Sequence, residues 1–298
     1  MEIIHFEFDK TYNFPHDLIL VLGYFDGVHL GHQKLIEKAK ECSENVALLT
    51  FDNNFRSLLN HQRVSLLTPL SDKVDYFKQL GVKYFIILEF NETIKNKTKE
   101  EFIEEVLKPI NPFKIIIGED YSFGFNGSGN YKDLMKYFSV SVLPFIKIDG
   151  VKVGSKKIKE LILEGEIEKA NKMLNHPYKL SGTVVEGYKN GRKIGFPTAN
   201  IMPDDDYVTP LEGVYCTYIY IGDFKYKSIT SISTHPTINA LEKPIIETNV
   251  IDFGGNLYGK FVSVEFISFI RPIKKFLNIE QLKSQLILGE EYAKKHLQ

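Results

Sequence analysis

The sequence predicts two domains of different fold class, an α/β domain with a parallel, doubly wound sheet followed by an all-β domain with a terminal helix. The first half alternates short apolar runs with amphipathic stretches, which is the rhythm of βαβ units. After Leu180 the pattern changes to alternating or β-branched runs separated by turn residues. The chain has 298 residues, more than one domain usually contains, so two domains are the natural expectation.

The elements of the first half follow from the apolar runs. Several runs are too uniformly apolar for strands with one exposed face, so helices are expected on both sides of the sheet. The predicted strands are 18–22, 46–51, 84–88, 114–117 and 140–146, and the helical patterns centre on 35–39, 74–80, 102–107, 158–163 and 167–174. Asn175-His176-Pro177 breaks the last helix, which places the domain boundary between residues 1–176 and residues 177–298.

The second half has the pattern of a barrel. In the run 261–269 the residues Val262, Val264 and Phe266 point to one side, as in a barrel wall. Gly222-Asp223 has the composition of a tight hairpin turn. The predicted strands are 182–185, 214–221, 225–232, 247–251 and 261–269, and a terminal helix follows with Leu282, Leu286 and Tyr292 on its inner face.

Composition excludes several classes of partner. The 37 basic residues nearly cancel the 38 acidic ones, so a nucleic acid partner is not expected. The first residues lack the basic start and apolar run of a secretory signal, and no later run has transmembrane length. The only cysteines, Cys42 and Cys216, have no metal or redox spacing, so we expect a cytoplasmic protein that binds neither nucleic acid nor membrane. The sequence gives no oligomeric state.

A first candidate site follows the first strand, in the run Gly23-Tyr24-Phe25-Asp26-Gly27-Val28-His29-Leu30-Gly31-His32. A helix is expected to start at about His32, and unpaired N–H groups at a helix start attract phosphate. The three glycines allow the backbone to approach a ligand closely. His29 and His32 are three residues apart, so both imidazoles can face one phosphate group.

A second candidate site lies in the run Gly195-Phe196-Pro197-Thr198-Ala199-Asn200. The sequence contains no Gly-x-x-x-x-Gly-Lys-Ser/Thr, which excludes an ordinary P-loop. Thr198 and Asn200 are two residues apart in an extended chain, so both can offer neutral oxygens to a magnesium ion on one side. On composition alone, a turn whose Thr and Asn satisfy local backbone groups is the simpler interpretation.

These two runs resemble motifs of one family. Residues 23–32 resemble the HxGH signature of nucleotidyltransferases and, in the longer form GxFDGVHxGH, the FAD synthetase module of prokaryotic riboflavin kinase/FAD synthetases. Residues 195–200 resemble the GxPTAN motif of riboflavin kinases. The resemblance continues through residues 66–73 and 118–124 and covers nearly the whole chain.

The resemblance implies a fold and a set of ligands. It implies a Rossmann-like nucleotidyltransferase domain, then a six-stranded Greek-key barrel with a helix. It also implies riboflavin, FMN and ATP as substrates and Mg²⁺ as cofactor. The residue roles that it implies are Thr198 and Asn200 on Mg²⁺ and ATP phosphates, Glu247 as general base, and His29 and His32 at the adenylyl transfer. It further implies ligand contacts by Gly23, Phe25, Asp26, Gly27, Gly31, Asp120, Ser155, Lys159, Gly195, Pro197 and Arg271.

The departures from the family pattern leave three hypotheses. The family's TFxPHP segment is replaced by residues 50–55, TFDNNF, and its ISSTxIR by residues 153–159, VGSKKIK, with Lys159 at the arginine position. Lysine keeps the charge but loses the bidentate fork. Ile273 stands at an acidic position of the flavin-side segment that begins at Arg271. The alternatives are a bifunctional enzyme, a riboflavin kinase with a decayed first domain, and a flavin-binding regulator without turnover.

Overall fold

The computed structural model describes residues 1–60, 64–186, 197–233, 244–274 and 278–297. These residues form two compact units, Met1–Gly154 and Ser155–Gln298. The helices Ser155–Leu163 and Ile167–Leu174 therefore group by their contacts with the second unit. The position at which the two family domains meet, predicted between 176 and 177, stays a prediction.

The first unit is built on a parallel sheet. Its strands are β1 (Glu2–His5), β2 (Ile19–Leu22), β3 (Val46–Phe51), β4 (Tyr84–Leu88), β5 (Lys114–Gly118) and β6 (Val140–Leu143), with the short pair β7 (Lys147–Ile148) and β8 (Val151–Lys152). Its helices are α1 (Leu30–Cys42), α2 (Asn54–Asn60), α3 (Leu70–Gln79), α4 (Glu92–Asn96), α5 (Lys99–Phe102), α6 (Lys108–Ile110) and α7 (Tyr131–Leu134). A π-helical turn, Ile103–Leu107, joins α5 to α6, and a 3-10 turn covers Phe125–Gly127.

The sheet confirms the doubly wound arrangement. Its order is β1-β4-β3-β2-β5-β6, and all neighbouring strands are parallel. Leu20 of β2 packs into the apolar core on one face, and Val21 packs into the core on the other face. Because both faces are covered, the strands are apolar throughout, as the sequence predicted.

Two local features differ from the sequence pattern. Strand β1 was not predicted because its residues Glu2–His5 are mostly exposed at the edge of the sheet and lack an apolar run. The helical pattern of residues 102–107 continues through Pro109 to Ile110. Pro109 lies in the first turn of α6, directly after the π-helical turn, where its missing N–H is tolerated.

The second unit begins with two helices and continues as a barrel. The helices are α8 (Ser155–Leu163) and α9 (Ile167–Leu174). The strands are β9 (Tyr178–Val185), β10 (Thr198–Pro203), β11 (Gly213–Ile221), β12 (Phe224–Ser233), β13 (Ile245–Val250) and β14 (Phe261–Arg271), followed by the helix α10 (Ile279–His296). Within the described ranges, the six strands close into an antiparallel barrel of order β10-β13-β12-β11-β14-β9. Strand β14 lies beside β11 after the run β11-β12-β13, which is the Greek-key connection that the resemblance implied.

The barrel has a filled interior and a helix on its outside. Val262, Val264 and Phe266 are buried inside, as the alternation predicted. The Gly222-Asp223 hairpin is confirmed by the pairing of Ile221 with Phe224. Helix α10 packs on the outer face of β11 and β12 through residues that include Tyr292, Ala293 and Leu297. Leu286 is half-buried, and the prediction for the side chain of Leu282 lies outside the described residues.

Helices long and apolar enough to span a bilayer do not occur in the described ranges of the chain.

Candidate active sites

The barrel site is set by the pairing of β10 with β13. Thr198 lies opposite Asn249, and Asn200 lies opposite Glu247. Residues directly opposite each other in antiparallel strands share a face, and so do residues two apart. These four polar side chains therefore lie together on one face of the sheet, while Ala199 and Ile201 are buried on the other.

A short hydrogen bond in this site joins Thr198 to Glu247. The Thr198 hydroxyl donates a hydrogen bond to Oε1 of Glu247 at 2.5 Å. Hydrogen bonds to a carboxylate are short and strong, so this one fixes the direction of the carboxylate relative to β10. The two residues are 49 positions apart in the sequence, and the structure places them together.

Asn249 is a member of this cluster whose importance the sequence did not reveal. Its Nδ2 donates to the Pro197 carbonyl at 3.0 Å, and the side chain is only 6% exposed. Its Oδ1 is buried and has no hydrogen-bond partner among the described residues. The sequence could have indicated this role through spacing, because a residue two positions after Glu247 lies on the same face of a strand.

The donor set suits a hard divalent cation. A hydroxyl, amide oxygens and a carboxylate are the ligands that Mg²⁺ prefers, usually together with water and phosphate oxygens. Thr198, Asn200 and Asn249 supply the neutral oxygens of this cluster. The buried Oδ1 of Asn249, without a partner in the described part of the chain, is the kind of atom that such an ion or its water would satisfy.

A cavity of about 390 Å³ adjoins the cluster. Pro197 and Thr198 line one part of it, and the loop of residues 253–258 lines another. Val184, Val250 and Leu257 add apolar walls. The cavity therefore combines apolar surface with one polar side chain of β10, that of Thr198, and with Asn256 and Tyr258 of the loop, which is typical of small-molecule sites.

Two further residues of the barrel, Gly195 and Arg271, were predicted to contact ligands. Gly195 lies outside the described residues. Arg271 ends β14, which is separated from β10 by β9, and its Nη1 donates to the Pro272 carbonyl at 3.2 Å. Burial lowers the pKa of the Arg271 guanidinium. The flavin contact of Arg271 stays a prediction.

The site of the first unit lies at the switch point of its sheet. Strands β3, β4 and β1 extend to one side of β2, and β5 and β6 extend to the other. Ligands of doubly wound sheets bind at the carboxyl ends of the strands where the order reverses. The loops there are residues 23–29, after β2, which hold the motif predicted at this edge, and residues 119–120, after β5.

The turn after β2 has an unusual backbone. Phe25, Gly27 and Val28 have φ values of 57°, 92° and 42°, in the left-handed region. Helix α1 begins at Leu30, two residues before the expected start, and His29 is its extended N-cap residue. Gly31 and His32 thus lie in the first turn of α1, where N–H groups are unpaired by the helix and the dipole favours an anion.

The two histidines of this turn lie against each other. Their rings stack with centroids 3.6 Å apart and an interplanar angle of 17°. A Cβ at Gly31 would come within 3.2 Å of the His29 ring, so glycine makes room for this stack. Burial, and then the neighbouring His29 and Lys73, hold the pKa of His32 well below its ordinary value. His32 is therefore neutral at pH 7 and would act through its N–H rather than through charge.

Phe25 and Asp26 are buried rather than directed to solvent. Asp26 Oδ1 accepts hydrogen bonds from the N–H groups of Leu67 at 2.8 Å and Thr68 at 3.2 Å. The Phe25 ring packs edge-on against His32, with centroids 5.2 Å apart. Both residues shape the turn, and a direct nucleotide contact by either stays a prediction.

The remaining predicted residues of the adenylyl site come from the loop after β5 and from α8. Asp120, after β5, pairs with Lys152 through its Oδ2 at 2.9 Å. Ser155 and Lys159 lie in α8, which opens the second unit. Their contacts with ATP stay predictions, as do those of Gly23 and Gly27.

The segment that replaces TFxPHP has structural contacts of its own. Asn53 Oδ1 accepts from the N–H of Leu70 at 2.9 Å at the start of α3. Asp52 Oδ1 accepts from the N–H of Phe90 at 3.3 Å. Asn53, at an exchanged motif position, and Asp52, at the variable position before it, thus hold neighbouring chain segments.

Comparison with known proteins identifies both units. The FAD synthetase family model matches residues 12–160, and the riboflavin kinase family model matches residues 174–297. A Listeria monocytogenes protein named bifunctional riboflavin kinase/FMN adenylyltransferase is 35% identical over 92% of this chain and 90% of its own. A Bacillus subtilis protein of the same name is 33% identical over 94% of this chain and 95% of its own.

A crystal structure covers the same architecture. A Streptococcus pneumoniae protein described as a macrolide-efflux protein superposes with a TM-score of 0.89 at 30% sequence identity, over 99% of both chains. The motifs, the fold of each unit and the similarity over the full length agree. The chain therefore belongs to the bacterial bifunctional riboflavin kinase/FMN adenylyltransferase family, with an FAD synthetase domain followed by a riboflavin kinase domain.

Proposed function

We propose that this protein converts riboflavin to FMN with ATP at the barrel site, and FMN to FAD with a second ATP at the site after β2. The observation that carries the first reaction is the hydrogen bond of 2.5 Å between Thr198 and Glu247, with Asn200 directly opposite Glu247. Phosphoryl transfer needs groups that hold the phosphates and a group that orients the attacking hydroxyl. This cluster contains both kinds.

In the kinase reaction, Glu247 accepts the proton of the ribityl 5′-hydroxyl as that oxygen attacks the γ-phosphorus and ADP leaves. The Thr198 hydroxyl directs the carboxylate, and Asn249 holds the Pro197 carbonyl beside it. Thr198 and Asn200 would hold Mg²⁺, which neutralises phosphate charge when bound. The adjoining cavity of about 390 Å³ accepts the nucleotide.

In the adenylyl transfer, a phosphate oxygen of FMN attacks the α-phosphorus of ATP, and pyrophosphate leaves. The first turn of α1 offers its N–H groups to the phosphates. The stacked rings of His29 and His32 donate N–H groups to the oxygens on which negative charge grows. Neither histidine forms a covalent bond in this scheme.

The names of the relatives favour the bifunctional hypothesis over the other two. Both family domains are present, and the relatives from Listeria monocytogenes and Bacillus subtilis are named as bifunctional. Lys159 keeps a positive charge at the arginine position of the ATP-binding motif, so phosphate attraction is retained with less exact geometry. We expect a slower adenylyl transfer rather than its loss.

One incubation separates the three hypotheses. The purified protein is mixed with riboflavin, ATP and MgCl₂, and the flavins are resolved by chromatography. The proposal predicts FMN followed by FAD. Formation of FMN without FAD would support the second hypothesis, a riboflavin kinase with an inactive first domain. Unchanged riboflavin, with binding detected by fluorescence quenching, would replace the proposal with a flavin-binding protein without turnover.

A cytoplasmic setting is part of the proposal. Cys42 is exposed and Cys216 is buried, and both are free thiols. An exposed free thiol fits a reducing compartment.

A further inference from the structure

The segment Leu66-Leu67-Thr68-Pro69-Leu70-Ser71-Asp72-Lys73 resembles the family pattern but has no role in the reactions described so far. We propose that Lys73 is a positioning residue for adenylyl transfer, because its buried ammonium group fixes the turn that carries His29 and His32. This inference rests on the proposed adenylyltransferase activity.

The environment of Lys73 is the first observation. Its side chain is fully buried, with 0% exposure. Its Nζ donates to the Tyr24 carbonyl at 2.7 Å and lies over the Tyr24 ring, 3.9 Å from the centroid. Burying an ammonium group is unfavourable, so a lysine with such contacts has a specific task.

The Tyr24 carbonyl does not need a lysine for a partner. The Thr50 hydroxyl already donates to the same oxygen at 3.2 Å. A carbonyl has two lone pairs, and two neutral donors would satisfy it. Lys73 therefore adds a positive charge at this carbonyl, which a neutral donor would not. It is a fixed positive charge beside the turn on which phosphates are proposed to bind.

Segment 66–73 makes hydrogen bonds to the turn after β2 on both sides of Phe25, the residue with a left-handed backbone. Tyr24 is held by Lys73, and Asp26 is held by the N–H groups of Leu67 and Thr68. Between them lies Phe25, with a φ of 57°. A bulky residue keeps a left-handed backbone only where its surroundings impose it. These contacts from segment 66–73 supply that constraint and lead the chain toward the start of α1.

The same charge acts on His32. Two ionisable groups near His32 affect its pKa: His29, at the N-cap of α1, and Lys73, in α3. Both lower the pKa of His32, in addition to burial. Lys73 thus helps to keep His32 in the neutral form that can donate an N–H to phosphate without a competing titration near pH 7.

The test uses Lys73→Met, which keeps the length and apolar stem and removes the charge and the donor. The matched control is Lys40→Met, because Lys40 Nζ donates to the Leu80 carbonyl at 3.1 Å from an exposed position of the same unit. We expect Lys73→Met to lower kcat for FAD formation from FMN roughly 10- to 100-fold, the effect of losing a hydrogen bond from a charged group. FMN formation from riboflavin should stay within about twofold of wild type in both variants.

A second readout does not depend on activity. The pKa of His32, measured by NMR titration of its ring protons, should rise toward its ordinary value in Lys73→Met and stay unchanged in Lys40→Met. An unchanged pKa of His32, or a loss of FAD and FMN formation by the same factor, would overturn the proposal. If Lys73→Met does not fold, Lys73→Gln, which keeps a neutral donor, is measured instead. If the wild type makes no FAD, the proposed adenylyl transfer fails, and the NMR titration still tests the placement of Lys73.

Discussion

The barrel site and the site after β2 are assembled in different ways. On the barrel, Thr198, Asn200, Glu247 and Asn249 come from two paired strands, and their common face follows from strand register alone. In the first unit, the positions of His29 and His32 depend on a turn in which two non-glycine residues and one glycine have a left-handed backbone. They also depend on contacts from segment 66–73. A site built from strand register is therefore simpler to derive from spacing than one built from a strained turn.

The largest effect is expected for Glu247→Gln. The amide keeps an oxygen that accepts from Thr198 but cannot take a proton from the ribityl hydroxyl. FMN formation should fall about 10²- to 10⁴-fold, the usual contribution of a general base. FAD formation from supplied FMN, measured by chromatography in the same preparation, should not change. A wild-type rate of FMN formation would remove Glu247 from its proposed role.

His32→Ala tests the other side of the comparison. Removing one donor to a transition-state oxygen typically costs about 10²- to 10³-fold in kcat, so FAD formation should fall by that factor. FMN formation should stay intact. His296→Ala is the control, because His296 also stacks on an aromatic ring, Tyr292, at 3.9 Å, but in the second unit. Equal losses in the two variants would show that the effect is not specific to the adenylyl site.

Thr198→Val sharpens the account of the barrel site. The change removes the hydroxyl that directs Glu247 and keeps the shape of the side chain. A hydrogen bond to a charged group contributes about 1.5–3 kcal/mol, so kcat for FMN formation should fall roughly 10- to 100-fold. A higher Mg²⁺ requirement should accompany the loss.

The matched control for this change is Thr183→Val. The Thr183 hydroxyl donates to Asp204 Oδ1 at 3.2 Å, which is also a threonine-carboxylate contact of the barrel but outside the proposed site. Its FMN formation should match wild type. If both threonine variants lose the same factor, general damage to the barrel explains the effect better than the loss of a directing hydroxyl.

The smallest effect concerns pH and the first unit. The pKa of His32 is lower in the folded state than its ordinary value of 6.5, so the unfolded chain binds more protons as the pH falls below about 6.5. His32 should therefore reduce the free energy of unfolding by up to about 1.4 kcal/mol per pH unit below that value. Urea unfolding at about pH 7.5 and about pH 5.5 measures this loss. His32→Gln should lose less stability on acidification than wild type, and an equal loss would contradict the assignment.

Much of the fold was readable from periodicity. Strands β3 and β4 and helix α9 have the predicted bounds, because uniformly apolar runs and amphipathic spacing directly report burial. The start of α1 was placed two residues late, because the turn before it depends on positive φ values that no pattern of apolar residues encodes. The edge strand β1 was missed because exposure hides the apolar signal.

The candidate sites were readable only in part. The spacing of Thr198 and Asn200 predicted a shared face, and the resemblance supplied Glu247, but spacing alone could not pair residues 49 positions apart. Asn249 and Lys73 were not singled out, because their importance arises from contacts with backbone carbonyls of Pro197 and Tyr24. Such contacts depend on tertiary structure and produce no recognisable pattern of residue spacing in the sequence.

The central claim is that two separate sites act in sequence, and mixing two inactive variants tests it most directly. Glu247→Gln alone should make neither FMN nor FAD from riboflavin, and His32→Ala alone should stop at FMN. In one tube with riboflavin, ATP and Mg²⁺, the intact barrel of one variant should supply FMN to the intact first unit of the other. The account predicts FAD in the mixture, and FMN without FAD would contradict it.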